Sequence, residues 1–170
     1  MRHSMRALSL GLSVLVLFSC GKKLGEEELH QQAQTFEQEE KYDEATKAYE
    51  TLLKDYPQGQ YADEAVQRLA FLYYNNYHDF DKAIAYHERL IKDYPDSHFV
   101  PQARFMIGYI YANDLKDYDM ARKAYTDFLE HHPDNELVES VKWELKHLGE
   151  DVNSQLDELF ATDKSNGKTK

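Results

Sequence analysis

The sequence predicts an all-α chain whose helix pairs stack into a solenoid, and three observations predict it. The first is a spacing. Phe80, Ala83, Tyr86, Leu90, Ile91, Tyr94 and Pro95 reappear 38 residues later as Tyr118, Ala121, Ala124, Phe128, Leu129, His132 and Pro133. The same step backwards gives Tyr42, Ala45, Ala48, Leu52, Leu53, Tyr56 and Pro57. Three copies at one period are the signature of a repeat array, whose units bury their apolar faces against each other. The second is the stretch 103–113, ARFMIGYIYAN, in which Phe105, Met106, Ile107, Tyr109, Ile110 and Tyr111 cover every direction around a helix axis. A helix apolar all round is buried, and this one is too short for a bilayer, which takes about 20 apolar residues. The third is punctuation: Tyr56-Pro57, Tyr94-Pro95 and His132-Pro133 end the units at a residue that cannot continue a helix.

Residues 1–19 read as a signal peptide. Arg2 and Arg6 supply positive charge, and the apolar run 7–18 is too short to span a membrane. The run ends in Leu17-Phe18-Ser19-Cys20-Gly21, which resembles a bacterial lipobox. That resemblance implies cleavage before Cys20 and a diacylglycerol on its thiol. The other reading is ordinary secretion with a free thiol, because Cys20 is the only cysteine and has no disulfide partner in the chain. Several acyl chains, each worth about 0.8 kcal/mol per buried methylene, make a stable anchor. Since no aspartate follows Cys20, the lipobox reading points to the outer membrane, with 20–25 as the lipidated tether.

Helices are then expected in order. Residues 26–40 open with Glu26, Glu27 and Glu28, placed where the helix dipole favours acids, and turn Leu29, Ala33 and Phe36 inward. Lys41 and Tyr42 turn the chain into 43–55, with Ala45, Tyr49, Leu52 and Leu53 inward, and Gln58-Gly59 completes the exit. The middle unit has helices over 62–75 and 80–92. The last begins at Pro101, a residue suited to a helix start, runs to 113 and returns over 118–131. Gly108, in mid-helix, costs about 1 kcal/mol relative to alanine, a cost offset if another helix approaches closely. Residues 134–148 place Val138, Val141, Leu145 and Leu148 on one stripe, with Trp143 pointing away. After Gly149, residues 151–160 carry Val152, Leu156, Leu159 and Phe160 on one face. These two segments, 135–161, are read as a capping helix pair, and 162–170 as a disordered polar tail.

The formal charge is −11, and removing residues 1–19 leaves 18 basic and 31 acidic residues and a charge of −13. So acidic a surface excludes nucleic acid and anionic lipid as partners bound through a basic patch. It fits either a solvated helical surface or basic partners. Eight histidines raise the question of a metal, but only His131 and His132 are adjacent. Neighbours on a helix point about 100° apart and do not chelate one ion by themselves, so His132 is assigned to the turn. Asp117 and Asp119 flank Tyr118 as Asp79 and Asp81 flank Phe80, and the repetition marks helix caps. No nucleophile motif or phosphate loop is present. A non-enzymatic protein with no catalytic residue, cofactor or metal is expected.

Within each unit the pattern resembles the tetratricopeptide repeat. Ile107-Gly108, Tyr111, Ala121, Tyr125 and Pro133 fill it in the third unit; Leu69-Ala70, Tyr73, Ala83 and Pro95 in the second, with His87 at the aromatic place; Ala33, Phe36, Ala45, Tyr49 and Pro57 in the first. Arg104, Val66 and Leu29 stand where the repeat places a large residue early in its first helix. The resemblance implies a right-handed solenoid of three helix pairs, over 26–60, 61–98 and 99–134, plus the C-terminal capping pair. It also implies that the first helices line a concave groove that binds peptides. On this chain the groove positions are His30, Gln34, Glu37 and Gln38; Gln67, Phe71, Tyr74 and Asn75; and Phe105, Tyr109, Ala112 and Asn113. Phe71, Tyr74, Phe105 and Tyr109 are the candidate anchors, and Asn75 and Asn113 the candidate backbone clamps. The other reading has these aromatics packed under the cap.

A lipobox followed by repeats ending in Tyr-Pro or His-Pro resembles the BamD (YfiO) family, periplasmic lipoprotein scaffolds of the machine that inserts β-barrel proteins. That family usually has five repeats, where this chain shows three and a cap. The repeats are also similar to the C-terminal domain of the CpoB (YbgF) family, which works with the Tol-Pal system. The first resemblance implies a lipid-anchored interaction scaffold on the periplasmic face of the outer membrane, held through acylated Cys20. Its expected partners are envelope proteins or extended peptide segments, including an outer-membrane assembly complex. The second implies an adaptor or regulator in a Tol-Pal-like or cell-wall synthesis machinery.

Overall fold

The structure, a computed structural model, describes residues 23–150. The expected signal peptide, Cys20, the expected helix over 151–160 and the expected tail lie outside the described residues. Seven helices follow in order: α1 (Glu26–Gln38), α2 (Tyr42–Asp55), α3 (Ala62–Asn75), α4 (Phe80–Asp93), α5 (Val100–Asn113), α6 (Tyr118–His131) and α7 (Val138–Lys146). Helices pair as α1·α2, α3·α4 and α5·α6; α2 packs on α3, α4 on α5, and α6 on α7. Each unit touches its sequence neighbours, the arrangement of a solenoid. No strand occurs among the described residues. The expected all-α solenoid of three helix pairs is what forms.

Local sequence explains the joints. Helices α2, α4 and α6 end at Tyr56, Tyr94 and His132 with φ of −136°, −133° and −133°, so the histidine before Pro133 adopts the same exit as the two tyrosines. Asp79 accepts from the Lys82 N–H at 3.1 Å and Asp117 from the Met120 N–H at 3.0 Å, each satisfying an orphan donor of its helix. Asp81 and Asp119 sit in the first turns instead. The turns inside each unit pass through Glu40, His78 and Lys116 at φ of 58°, 53° and 55°. None is glycine, and sequence reading gave no warning of this left-handed residue. Helix α1 ends at Gln38, earlier than expected, and α7 covers 138–146 where 134–148 was expected. Before α7, Asn135 and Leu137 form turn hydrogen bonds that delay the helix.

The core holds one aromatic position per unit on the second helix and one small residue on the first. Tyr125 on α6 and Gly108 on α5 are both buried, and a Cβ on Gly108 would stand 2.5 Å from the Tyr125 ring. The close approach expected at this glycine is therefore present. The same two positions hold Ala70 and His87 in the middle unit and Ala33 and Tyr49 in the first, all buried. Phe128, Leu52 and Leu90 are also fully buried, each worth about 1.5–3 kcal/mol by burial. Val141 anchors α7, while Val138, Leu145 and Leu148 pack around it and Trp143 is 52% exposed.

Helix α5 departs from the expectation of burial all round. Only Gln102 and Asn113 are exposed, but Phe105, Met106, Ile107, Tyr109 and Tyr111 are half-buried. In a solenoid a first helix is flanked by two second helices, here α4 and α6, and its remaining directions face the two open surfaces of the array. Tyr111 is therefore a partly covered side chain, and Tyr125 is the enclosed aromatic of this unit.

Candidate protein-interaction surface

The helices α1, α3 and α5 carry the groove positions named from sequence. They are tied together by polar contacts between turns of successive helices. Arg68 of α3 forms an ion pair with Glu37 of α1, its Nε donating at 3.0 Å to Oε1, and Tyr49 donates its hydroxyl to the same oxygen at 2.7 Å. Burial, and then the bond to Glu37, pushes the Tyr49 phenol well above its ordinary pKa. Gln34 reaches Glu64 at 3.5 Å, and Gln67 reaches Gln102 at 3.5 Å. Gln34, Glu37, Gln38, Glu64 and Arg68 line a shallow depression of about 280 Å³. It is charged and polar, and no large apolar side chain contributes to it.

The aromatics are distributed along α3 and α5. Phe71 is 44% exposed, and the Arg68 guanidinium covers part of its ring at 4.7 Å from the centroid, a cation–π contact. Tyr74 is half-buried against Phe80, ring centres 5.8 Å apart. Its pKa is pushed up to about 12, by burial first and then by the nearby Asp114 and Tyr109. Phe105 lies 6.0 Å from Tyr109 and 6.0 Å from the buried Tyr125. The anchors are thus gathered as Tyr74, Tyr109 and Phe105, with Phe71 a turn away beside Arg68. No ring pair among the described residues joins Phe71 to Tyr109. The α3 residue near enough to Tyr109 to be influenced by it is Tyr74.

Asn75 and Asn113 are exposed, and each side-chain amide donates to a carbonyl four residues back, Phe71 at 3.1 Å and Tyr109 at 3.2 Å. Each keeps its side-chain oxygen free for an incoming backbone N–H. Two positions assigned to the groove are instead buried. His30 stacks on Tyr61 at 4.3 Å and contacts Glu64 at 3.1 Å. Ala112 packs with Ala121, Tyr125, Phe128 and Val141. Both sit on the side of their helix that faces the next packed element.

The arrangement suits binding. Among the described residues no three His, Cys, Asp or Glu side chains gather in metal-binding geometry, and no described helix is long and apolar enough to cross a membrane. Sequence reading missed the concavities between successive second helices, about 510 Å³ between α2 and α4 and about 270 Å³ between α4 and α6, because they depend on how those helices stand across the first helix between them.

A family model described as YfiO, outer membrane lipoprotein, matches residues 22–152. No curated protein matches the chain.

Proposed function

The chain belongs to the YfiO family of outer membrane lipoproteins, and from that premise we propose that it is a lipid-anchored protein-interaction scaffold on the periplasmic face of the outer membrane, serving β-barrel assembly. Its anchor is Cys20. Its working surface is the groove of first helices, with Phe71, Tyr74, Phe105 and Tyr109 as apolar anchors and Asn75 and Asn113 as clamps on an extended peptide. The observation that carries this reading is Phe71. A phenylalanine in the middle of α3 with 44% of its surface exposed, beside Arg68 and a turn from Tyr74, has the composition of a binding hot spot.

The test is capture of envelope proteins from solubilised outer membranes by the full chain. The double variant Phe71→Ala with Tyr109→Ala should weaken capture by at least about 2 kcal/mol, the hot-spot scale, while its helical circular dichroism is retained. Undiminished capture by a folded double variant refutes the groove as the working surface.

A further inference from the structure

We propose that the cleft between α4 and α6 is a receptor for a tyrosine side chain of a partner polypeptide with basic flanks, stacked on Tyr111 and donating its hydroxyl to Glu88. The observation is a comparison of the molecule with itself. Two gaps between successive second helices are built on one register: α2 and α4 over α3, then α4 and α6 over α5. In the first gap the Tyr86 ring lies on the Tyr73 ring, 5.4 Å between centres and 10° from parallel. The Tyr86 hydroxyl donates to Glu50 at 3.4 Å, and the Lys82 ammonium stands 4.8 Å from the centre of the Tyr73 ring.

Thirty-eight residues on, the platform and the acceptor persist and their occupant is gone. Tyr73 becomes Tyr111 and Glu50 becomes Glu88, but Tyr86 becomes Ala124 and Lys82 becomes Met120. The first gap keeps a polar concavity of about 510 Å³ beside its stack, lined by Glu50, Tyr73 and Lys82 among others; the second holds a more apolar cleft of about 270 Å³, lined by Glu88, Ile91, Ile107, Tyr111, Met120 and Ala124 among others. This is below the range of roughly 300–1,000 Å³ that holds a drug-sized ligand and suits one aromatic side chain. Glu88 faces the platform: after burial, its charge is the largest influence raising the Tyr111 pKa. Met120 is exposed at the cleft's edge and offers a thioether to a ring edge.

The chemistry selects among side chains. Glu88 is exposed, as Glu50 is in the first gap, so phenylalanine would forgo only the hydrogen bond to it, worth about 0.5–1.5 kcal/mol; leucine would forgo the stack as well. The cleft's lining balances Glu88 and Asp127 against Arg104 and Lys123, with Arg104 paired to Asp127, and the excess negative charge is that of the chain as a whole, −11. Basic flanks on the partner therefore suit it. The cleft shares no residue with the first-helix anchors, so this inference stands apart from the groove.

The experiment uses the full chain in detergent micelles, isotope-labelled, titrated with end-blocked tripeptides in which tyrosine, phenylalanine or leucine is flanked by lysines. Saturable shifts should appear at Glu88, Tyr111, Met120 and Ala124, with the tyrosine peptide binding at least severalfold tighter than the phenylalanine peptide. Glu88→Gln should narrow that preference. Ala124→Tyr should abolish binding and raise the melting temperature, since the chain then supplies its own tyrosine. If that variant does not fold, Ala124→Leu serves as the block. No saturable binding at millimolar peptide, equal affinity for the three peptides, or binding undiminished by the block overturns the proposal. Shifts at these residues that depend on the chain's own concentration, or that vanish in Phe160→Ala without peptide, would show a second copy or the chain's own segment 151–160 as the occupant and overturn it too.

Discussion

His87 offers the sharpest test of how the repeats pack. It occupies the aromatic position held by Tyr49 and Tyr125 in the other units, is 2% exposed, and its Nδ1 has no hydrogen-bond partner. Burial lowers its pKa from 6.5 to about 4. The neutral imidazole is therefore the form that folding accepts, and the unfolded chain binds the extra proton between those two values. Stability from this residue is intact above pH 6.5 and falls as pH drops toward 4. At about 1.4 kcal/mol per pKa unit, the loss is about 2 kcal/mol by pH 5 and about 3 kcal/mol at pH 4. His87→Phe removes the titration and keeps an aromatic ring at the position. Urea unfolding followed by circular dichroism, on parent and variant between about pH 7.5 and 4.5, gives two stability profiles whose difference isolates His87. The variant should match or exceed the parent at neutral pH and pull ahead progressively below pH 6.5. Parallel profiles across that window would refute the burial of a neutral imidazole in the middle unit.

Gly108→Leu should lose roughly 1–3 kcal/mol by overpacking against Tyr125, even though leucine is the better helix former. Tyr125→Ala should cost about 3–5 kcal/mol, and Tyr111→Ala clearly less because its ring is half-exposed; equal thermal shifts for the two tyrosines would contradict the assignment of Tyr125 as the enclosed one. Mass spectrometry of the mature amino terminus should find an acylated Cys20, and a mature form with an unmodified thiol would exclude the lipid anchor.

Periodicity made most of the fold legible. The bounds of α3 and α6 coincide with those expected; at α6 the apolar spacing, the capping Asp117 and Pro133 agree, while α3, which has no side-chain cap, was legible from its apolar spacing alone. The left-handed residues Glu40, His78 and Lys116 left no trace, since that conformation is imposed by the helices on either side rather than favoured by glutamate, histidine or lysine. Of the groove residues, Phe71, Asn75 and Asn113 are exposed as a binding face requires, whereas His30 and Ala112 are buried. A repeat register assigns a face to each position, but the neighbour that covers it depends on packing between units.

The sequence by itself determined the repeat, the helix order, the turns at Tyr56, Tyr94 and His132, and the need for a small residue at position 108. Each follows from local rules of spacing and backbone geometry that hold without knowing what lies opposite. Tertiary structure alone decided that Tyr125 fills the space beside Gly108, that Tyr74 rather than Phe71 lies near Tyr109, and that Tyr73 stacks on Tyr86. Those outcomes depend on side chains meeting across helices some 40 residues apart or less, and contacts between helices are set by volume and distance, which no single stretch of sequence contains.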